Sequence, residues 1–344
     1  FPLSNEEWQA LYQISKQHTV EGILFDALQQ LDASLLPPRP LLLKWCVRIE
    51  KIEQRNDLMN QTLTEQASFF AGYGLEPLLL KGQGVAQCYI RPNHRICGDI
   101  DWYFSTKETY LMANRIVMSL RIDLKYVAGY SACYCWNAYE VDHHQRLFDL
   151  HNPFLKGYLH RLIQCKQVQN SPIFLQDTRL HLPAPILQIL QVNTHILKHL
   201  LSFGIGLRQL CDAARLYATY NAQVDGAFLK EVYSKTNILK WIILLHQLLV
   251  DYIGLPKEVL PFELPENLQS HWMMEEIWRA GDFGFYDDRS GEVTLKGTRG
   301  IRNKRRLWSN FTKYLPYAPM EAISFPLAHL YSGITKPKNL RDVG

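Results

Sequence analysis

The chain has 344 residues, of which 47% are hydrophobic and 20% are charged, and it carries a formal net charge of +4. This length supports one large domain or two lobes, each with a core of its own. The charge is too small to indicate a nucleic-acid partner by itself. No apolar run approaches the ~18 residues that a membrane span requires, so we expect no membrane partner.

The cysteines are odd in number and scattered through apolar patterns, which favours neither a disulfide framework nor a zinc knuckle. The seven are Cys46, Cys88, Cys97, Cys133, Cys135, Cys165 and Cys211. The chain does not start with the basic and apolar regions of a signal peptide. We therefore expect a protein of the reducing cytoplasm.

Three helices are predicted within residues 1–74. The first begins at a capping box formed by Ser4 and Glu7, and the second covers residues 20–31. The third is a long amphipathic helix over residues 41–70 that ends at glycines. We expect this segment to cover one face of the sheet that follows.

Residues 77–104 contain an apolar strand, a glycine turn that opens a short helix, a basic loop and a second strand. The second strand begins with two alternating acids, Asp99 and Asp101. Side chains at i and i+2 of a strand share a face about 6.6 Å apart, so both carboxylates point the same way while Ile100 points into the core. Two convergent carboxylates predict a divalent-metal site.

The turn before the short helix predicts an anion site. Gly82 and Gly84 allow backbone N–H groups at a helix start to approach a phosphate. Lys81 and Arg95 are the candidate cations for this anion. Lys81 closes an apolar strand, which is a costly place for a charge without an anion, and Arg95 precedes the acidic strand. A metal pair beside a phosphate site is what phosphoryl or nucleotidyl transfer requires.

The rest of residues 75–182 predicts a small mixed sheet. A capped helix is expected over residues 105–120, followed by strands at 123–127, 134–141 and 146–151. The order β-α-β-α-β-β-β places helices on one side of this sheet. The fold class is therefore α/β (α+β), with a mixed-sheet core flanked by N-terminal helices.

Residues 183–344 predict an α-helical C-terminal lobe, with a loop over residues 281–300 and a basic run at 302–306. Helices are expected at 184–201, 207–220, 226–236, 238–252 and 268–280. The cleft between the two lobes is the natural place for a substrate.

A third carboxylate is expected to join the acidic pair and to help activate an attacking hydroxyl. Asp149, which shares a face with His151 on the predicted strand at 146–151, is our choice. Glu140 and Asp142 on the preceding strand are the competing acids.

Several of these motifs occur in the order of a known family. They are Leu80-Lys81-Gly82, Arg95, Gly98-Asp99-Ile100-Asp101, His143-His144, Asp149-Leu150-His151, Leu207-Arg208-Gln-Leu-Cys-Asp212 and Gly281-Asp-Phe-Gly284. This order resembles a bacterial group labelled "uncharacterised nucleotidyltransferase", within the polymerase-β-like nucleotidyltransferase superfamily. Gln83 departs from the pattern, since many relatives have Ser or a second Gly there.

The resemblance implies Mg²⁺-dependent transfer of a nucleoside monophosphate from an NTP to a hydroxyl-bearing acceptor, with release of pyrophosphate and two bound Mg²⁺ ions. The catalytic and metal-binding residues would be Asp99, Asp101 and Asp149, and the nucleotide-binding residues Lys81, Gly82, Gln83, Gly84, Arg95 and Gly98. Candidate acceptor contacts are His144, His151 and Arg208.

Each of these roles has an alternative. His143 and His144 are expected in an exposed hairpin turn, and Arg208 could pair with Asp212 one helical turn away. His195 and His199 have zinc-binding spacing, although no glutamate follows His195 and no third ligand is evident.

The function has two alternatives. The acceptor could be an RNA end, as in nucleotidyltransferase toxins, or the chain could be an inactive nucleotide-binding scaffold. The three candidate carboxylates favour an enzyme over a scaffold.

Overall fold

The computed structural model describes residues 3–127, 131–164, 171–175, 178–202, 204–266, 268–287 and 309–334. The cysteines in these ranges are free thiols. No helix within the same ranges combines the length and the apolar character needed to cross a bilayer.

Three helices form the N-terminal segment as predicted: α1 (Asn5–Gln17), α2 (Glu21–Leu28) and α3 (Arg39–Ala71). The capping box is present, since the Ser4 hydroxyl accepts the backbone N–H of Glu7 and the Glu7 side chain accepts that of Ser4. Helices α1 and α2 pack on the first half of α3 around Trp45, whose indole N–H donates to the Glu21 carbonyl. The second half of α3 packs on the sheet.

The described strands form one seven-stranded mixed sheet in the order β3-β4-β5-β2-β1-β7-β6. Their bounds are β1 Leu78–Leu80, β2 Ile100–Tyr103, β3 Lys125–Val127, β4 Ser131–Trp136, β5 Tyr139–His144, β6 Ser171–Leu175 and β7 Thr178–Leu182. Two pairs are parallel, β1 with β7 and β2 with β5, and the others are antiparallel. The short helix α4 (Gly82–Ala86) joins β1 to β2, and α5 (Lys107–Ser119) joins β2 to β3.

Two of the predicted strands and one predicted turn were wrong. The strand expected at 134–141 contains the turn of the β4–β5 hairpin, where Asn137 adopts a positive φ of 52° that Asn tolerates better than most residues. The segment 146–151 is irregular, and His143 and His144 lie in β5 instead of a turn. The β6–β7 hairpin, which extends the opposite edge of the sheet, was not predicted.

The two faces of the sheet have different partners. Ile100 and Trp102 of β2 point toward α3 and α5, within the cluster that includes Met59. Leu78 and Leu80 of β1 point the other way and join the core of the C-terminal helices. Asp101 lies opposite Leu80 in the antiparallel β1–β2 pair, so its carboxylate faces the helical lobe.

The C-terminal lobe is helical as predicted. Helix α6 (Lys156–Gln164) precedes this lobe, within residues 75–182, and was not predicted. The described helices of the lobe are α7 Pro185–Ser202, α8 Leu207–Tyr220, α9 Gly226–Lys235, α10 Leu239–Ile253, α11 His271–Ala280, α12 over 309–314 and α13 Pro319–Ile334. The five helices expected between residues 184 and 280 begin and end within three residues of these bounds. The predicted fold class is confirmed, and the boundaries at 74 and 182 stay a prediction. Most of the predicted loop and the basic run at 302–306 lie outside the described residues.

The contact between α2 and the loop before β2 provides a test of the packing. A Cβ on Gly22 would lie 2.0 Å from the His94 carbonyl oxygen, so Gly22→Ala must push the two segments apart. We expect the variant to lose about 1–3 kcal/mol of unfolding free energy in urea denaturation. The control is Gly157→Ala on α6, where the nearest atom is the end of the Arg161 side chain at 3.7 Å. Equal unfolding free energies for both variants would contradict the packing described here.

Candidate active site

The acidic pair lies at the start of β2. Asp99 is exposed just before the strand, whereas the Asp101 side chain is only 2% exposed. The like charge of Asp101 raises the pKa of Asp99, with a smaller contribution from burial. The two carboxylates are therefore close enough to repel each other, as their i, i+2 spacing predicts.

Two cationic or proton-donating groups meet the buried Asp101 carboxylate. Lys81 Nζ lies 3.0 Å and His144 Nε2 2.6 Å from Asp101 Oδ1. Burial alone would raise the pKa of Asp101, but Lys81 and then His144 outweigh it and hold the pKa below its usual range. Lys81 reaches this position with a positive φ of 45°, a conformation that is strained for a residue with a side chain.

The parallel pairing of β2 and β5 brings a further acid beside Asp101. Asp142 lies opposite Asp101 in the register, and burial, followed by Asp101, raises the pKa of Asp142 to about 6. Its Oδ1 is buried and has no hydrogen-bond partner among the described residues. Donor atoms of Asp101, Asp142 and His144 lie within 4.8 Å of one another. A second such group on the same face contains Cys133, Glu140 and Asp142.

Asp149 has other contacts. It lies in the irregular segment after β5, with Oδ1 2.8 Å from Lys198 Nζ and Oδ2 2.7 Å from His195 Nδ1, both on α7. Burial would raise its pKa, but Lys198 and His195 hold the pKa well below its usual value. Lys81 is near enough to contribute, which places Asp149 on the helical side of the same site.

Sequence reasoning missed Lys198 as a partner of Asp149. The available signal was the spacing of His195, Lys198 and His199, which share one face of α7. The imidazoles of His195 and His199 are 4.3 Å apart between centroids, but Nδ1 of His195 is bonded to Asp149. Among the described residues, neither histidine belongs to a group whose donor atoms could share a metal ion.

The guanidinium of Arg95, predicted to bind the triphosphate, is paired with a carboxylate of the helical lobe. The Arg95 side chain is 3% exposed and forms a bidentate pair with Asp212 on α8, with both N–O distances 2.7 Å. The Tyr89 hydroxyl donates to the same carboxylate. Asp212 therefore pairs with Arg95 instead of Arg208, whose guanidinium donates to Thr19.

Arg208 takes a position near the acidic pair. Its Nε donates to Thr19 Oγ1 at 2.9 Å, and its Nη2 lies 3.9 Å from Asp282. Its positive charge lowers the pKa of Asp99, although the charge of Asp101 raises that pKa by more. The contacts of His151 are with a different helix, since its backbone N–H donates to Glu321 of α13. Roles for Arg208 and His151 in acceptor binding stay predictions.

The glycine turn has a structural basis of its own. Gly82 has a positive φ of 36°, and a Cβ on Gly84 would lie 2.8 Å from a Leu182 methyl group. Gln83 is buried and donates from Nε2 to Asn56 of α3, while its Oε1 has no partner among the described residues. Gly98 is exposed beside the acidic strand. Phosphate contacts by these residues stay predictions.

A mixed sheet with Asp99 and Asp101 at the start of β2, facing a helical lobe, is the arrangement expected of a nucleotidyltransferase. The chain belongs to the family described as "Uncharacterised nucleotidyltransferase", whose model matches residues 4–253. This assignment confirms the enzyme class that the motifs predicted.

Comparison with solved structures gives a remote match to an antigenic nucleotidyltransferase-like protein from Paracoccidioides brasiliensis. The identity is 9% over 60% of this chain and 94% of that chain, with a TM-score of 0.38. A likeness this remote adds nothing to the family assignment. No curated protein matches the chain significantly.

The Arg95–Asp212 pair joins the loop before β2 to α8, and its removal should be costly. We expect Asp212→Ala to lose about 3–5 kcal/mol of unfolding free energy, because a buried guanidinium is left unpaired. The double variant Arg95→Met/Asp212→Ala should recover part of that loss, since no charge remains buried. Urea denaturation of the wild type, both single variants and the double variant measures the coupling. Additive losses would show that the pair is not coupled.

The buried His143 predicts a loss of stability in acid. Burial lowers its pKa from 6.5 to about 3 in the folded chain. Between these values the unfolded chain binds the proton and the folded chain does not, so stability falls as pH falls below 6.5. His143 therefore contributes about 1.4 kcal/mol per pH unit to the slope of the unfolding free energy against pH. Replacing His143 with Gln should reduce the measured slope by that amount, whereas His160→Gln on the exposed face of α6 should leave it unchanged.

Proposed function

We propose that the chain transfers a nucleoside monophosphate from an NTP to a hydroxyl-bearing acceptor and releases pyrophosphate, with two Mg²⁺ ions as cofactor. The observation that carries this proposal is the Asp99–Asp101 pair at the start of β2 beside Lys81, within a chain of the nucleotidyltransferase family. Paired carboxylates next to a cation provide the positioning and charge neutralisation on which this transfer depends.

The residues fit a divalent cation. The carboxylate of Asp101 is ionised at neutral pH because its pKa is held low, and Asp142 Oδ1 is a buried acceptor without a partner in the described part of the chain. Asp99 and Asp101 would hold the ions, which neutralise charge on the triphosphate. The prediction that Asp149 is a direct ligand has less support, because both of its oxygens are bonded to α7.

The triphosphate would be held by the residues around the glycine turn. Lys81 supplies a positive charge at the acidic pair, and Gly82 and Gly98 leave the backbone accessible on either side of it. Arg95 is left out of this set because Asp212 occupies its guanidinium. Arg208, which lies close enough to lower the pKa of Asp99, is the better candidate for a second cation.

Proton removal from the acceptor would involve Asp149 through His195. Burial, followed by the charge of Lys81, lowers the pKa of His195 to about 4, so the free imidazole is neutral at neutral pH, and the carboxylate of Asp149 would stabilise the imidazolium as it takes up the acceptor proton. Asp149 bonds Nδ1, which orients the ring and leaves Nε2 for the acceptor hydroxyl. The acceptor oxygen would form a bond to the α-phosphorus while its proton passes to Nε2 of His195. The bond between the α-phosphorus and the α–β bridging oxygen would break, and pyrophosphate would leave.

Metal-dependent nucleotide binding tests the proposal. Isothermal titration of each NTP should show binding by the wild type that requires Mg²⁺ and that weakens at least about tenfold in Asp99→Asn. The unfolding free energy of this variant should stay the same or rise, because a charge repelling Asp101 is removed. Asp123→Asn, at an exposed position outside the site, is the matched control.

Two results would count against the proposal. Nucleotide binding that is independent of Mg²⁺ and equal in all variants would indicate a scaffold. Loss of binding in Asp123→Asn as well as in Asp99→Asn would indicate a general effect of charge.

A further inference from the structure

The donor atoms that meet between β2 and β5 include an imidazole nitrogen. Asp101 and Asp142 supply carboxylate oxygens and His144 supplies Nε2, all within 4.8 Å of one another. We propose that His144 is a direct metal ligand and that the position it forms with Asp101 and Asp142 prefers Mn²⁺ to Mg²⁺. This inference deepens the proposed function, on which it depends for the task of the metal, and it assigns His144 to the metal instead of the acceptor.

The three donors are fixed by backbone pairing. The parallel register sets Asp142 directly opposite Asp101, and His144 lies two residues further along β5 on the same face. Its imidazole extends to Asp101, with 2.6 Å between Nε2 and Oδ1. Ligands on paired strands are held more rigidly than ligands on loops, which suits a metal site.

A second observation indicates a cation at this place. Oδ1 of Asp142 is buried and accepts no hydrogen bond from any described residue. Buried carboxylate oxygens without a donor are rare because the desolvation cost is not offset. A cation shared with Asp101 would satisfy this oxygen.

The donor set determines the preference. Mg²⁺ favours oxygen ligands and keeps its waters, whereas divalent ions of the first transition row also accept imidazole. Mn²⁺ combines that tolerance with affinity for carboxylate and phosphate oxygens. Asp99 supplies only carboxylate oxygens, so the second metal position, which Asp99 would form, suits Mg²⁺.

Pulsed electron paramagnetic resonance of bound Mn²⁺ detects a coordinated nitrogen without requiring turnover. The full chain would be loaded with Mn²⁺ alone, and again with α,β-non-hydrolysable analogues of the four NTPs. We expect a strong nitrogen coupling in the wild type. Labelling the histidines with nitrogen-15 should change its isotope pattern, which identifies an imidazole without any substitution.

The variants identify which histidine binds. His144→Gln should remove the nitrogen coupling and weaken Mn²⁺ binding at least about tenfold, with a smaller loss for Mg²⁺. His195→Gln removes the nearby imidazole on α7 and should keep the coupling. His160→Gln, at an exposed position on α6, should behave as the wild type in both measurements.

Three results would overturn the inference. They are a coupling that survives in His144→Gln, a coupling that is lost in His195→Gln alone, and Mn²⁺ that binds without nitrogen coupling, as it would between Cys133, Glu140 and Asp142. Each of them leaves Mg²⁺-dependent NTP binding intact, so the inference would fail while the proposed function stands. Absence of Mn²⁺ and Mg²⁺ binding with every nucleotide analogue would remove both.

Discussion

The buried charge of Asp101 is the constraint on which the site depends. A carboxylate that is 2% exposed is costly unless nearby groups compensate it, and here Lys81 and His144 do so through one of its oxygens. His144 lies in β5 and Lys81 directly follows β1, the two strands adjacent to β2, so the sheet positions both partners. The strained backbone of Lys81 fits this arrangement, because the chain must turn sharply after β1 while its ammonium group stays against Asp101.

The parts of this arrangement that depend on local patterns could be predicted from the sequence. Strand alternation with period two predicted that the carboxylates of Asp99 and Asp101 approach each other, and the like charge of Asp101 raises the pKa of Asp99. The helices between residues 184 and 280 were located from their apolar periodicity and from the glycine, proline and asparagine residues at their ends. The capping box at Ser4 involves residues only three positions apart, so the sequence alone contained the information.

Contacts between distant segments could not be predicted in this way. Asp142 lies beside Asp101 only because β5 pairs with β2 in one parallel register, and a shift of one residue would turn Asp142 to the opposite face. Arg95 and Asp212 are separated by 117 positions, and Asp149 and His195 by 46. Charge type and spacing indicated that these residues were candidates, but the choice of partner depends on how the lobes pack.

The helical lobe is therefore part of the site. Asp149 has both of its oxygens bonded to α7, and Arg95 has its charge satisfied by α8. On the opposite side, Asn56 of α3 donates to the carbonyl oxygens of Asn93 and Arg95, so the loop that leads into β2 is held from two directions. Residues 75–182 alone would retain Asp99, Asp101 and Lys81, but the Arg95 guanidinium would be unpaired and Asp149 would lose the groups that orient it. The geometry of the acidic strand thus depends on helices that contribute no carboxylate to it.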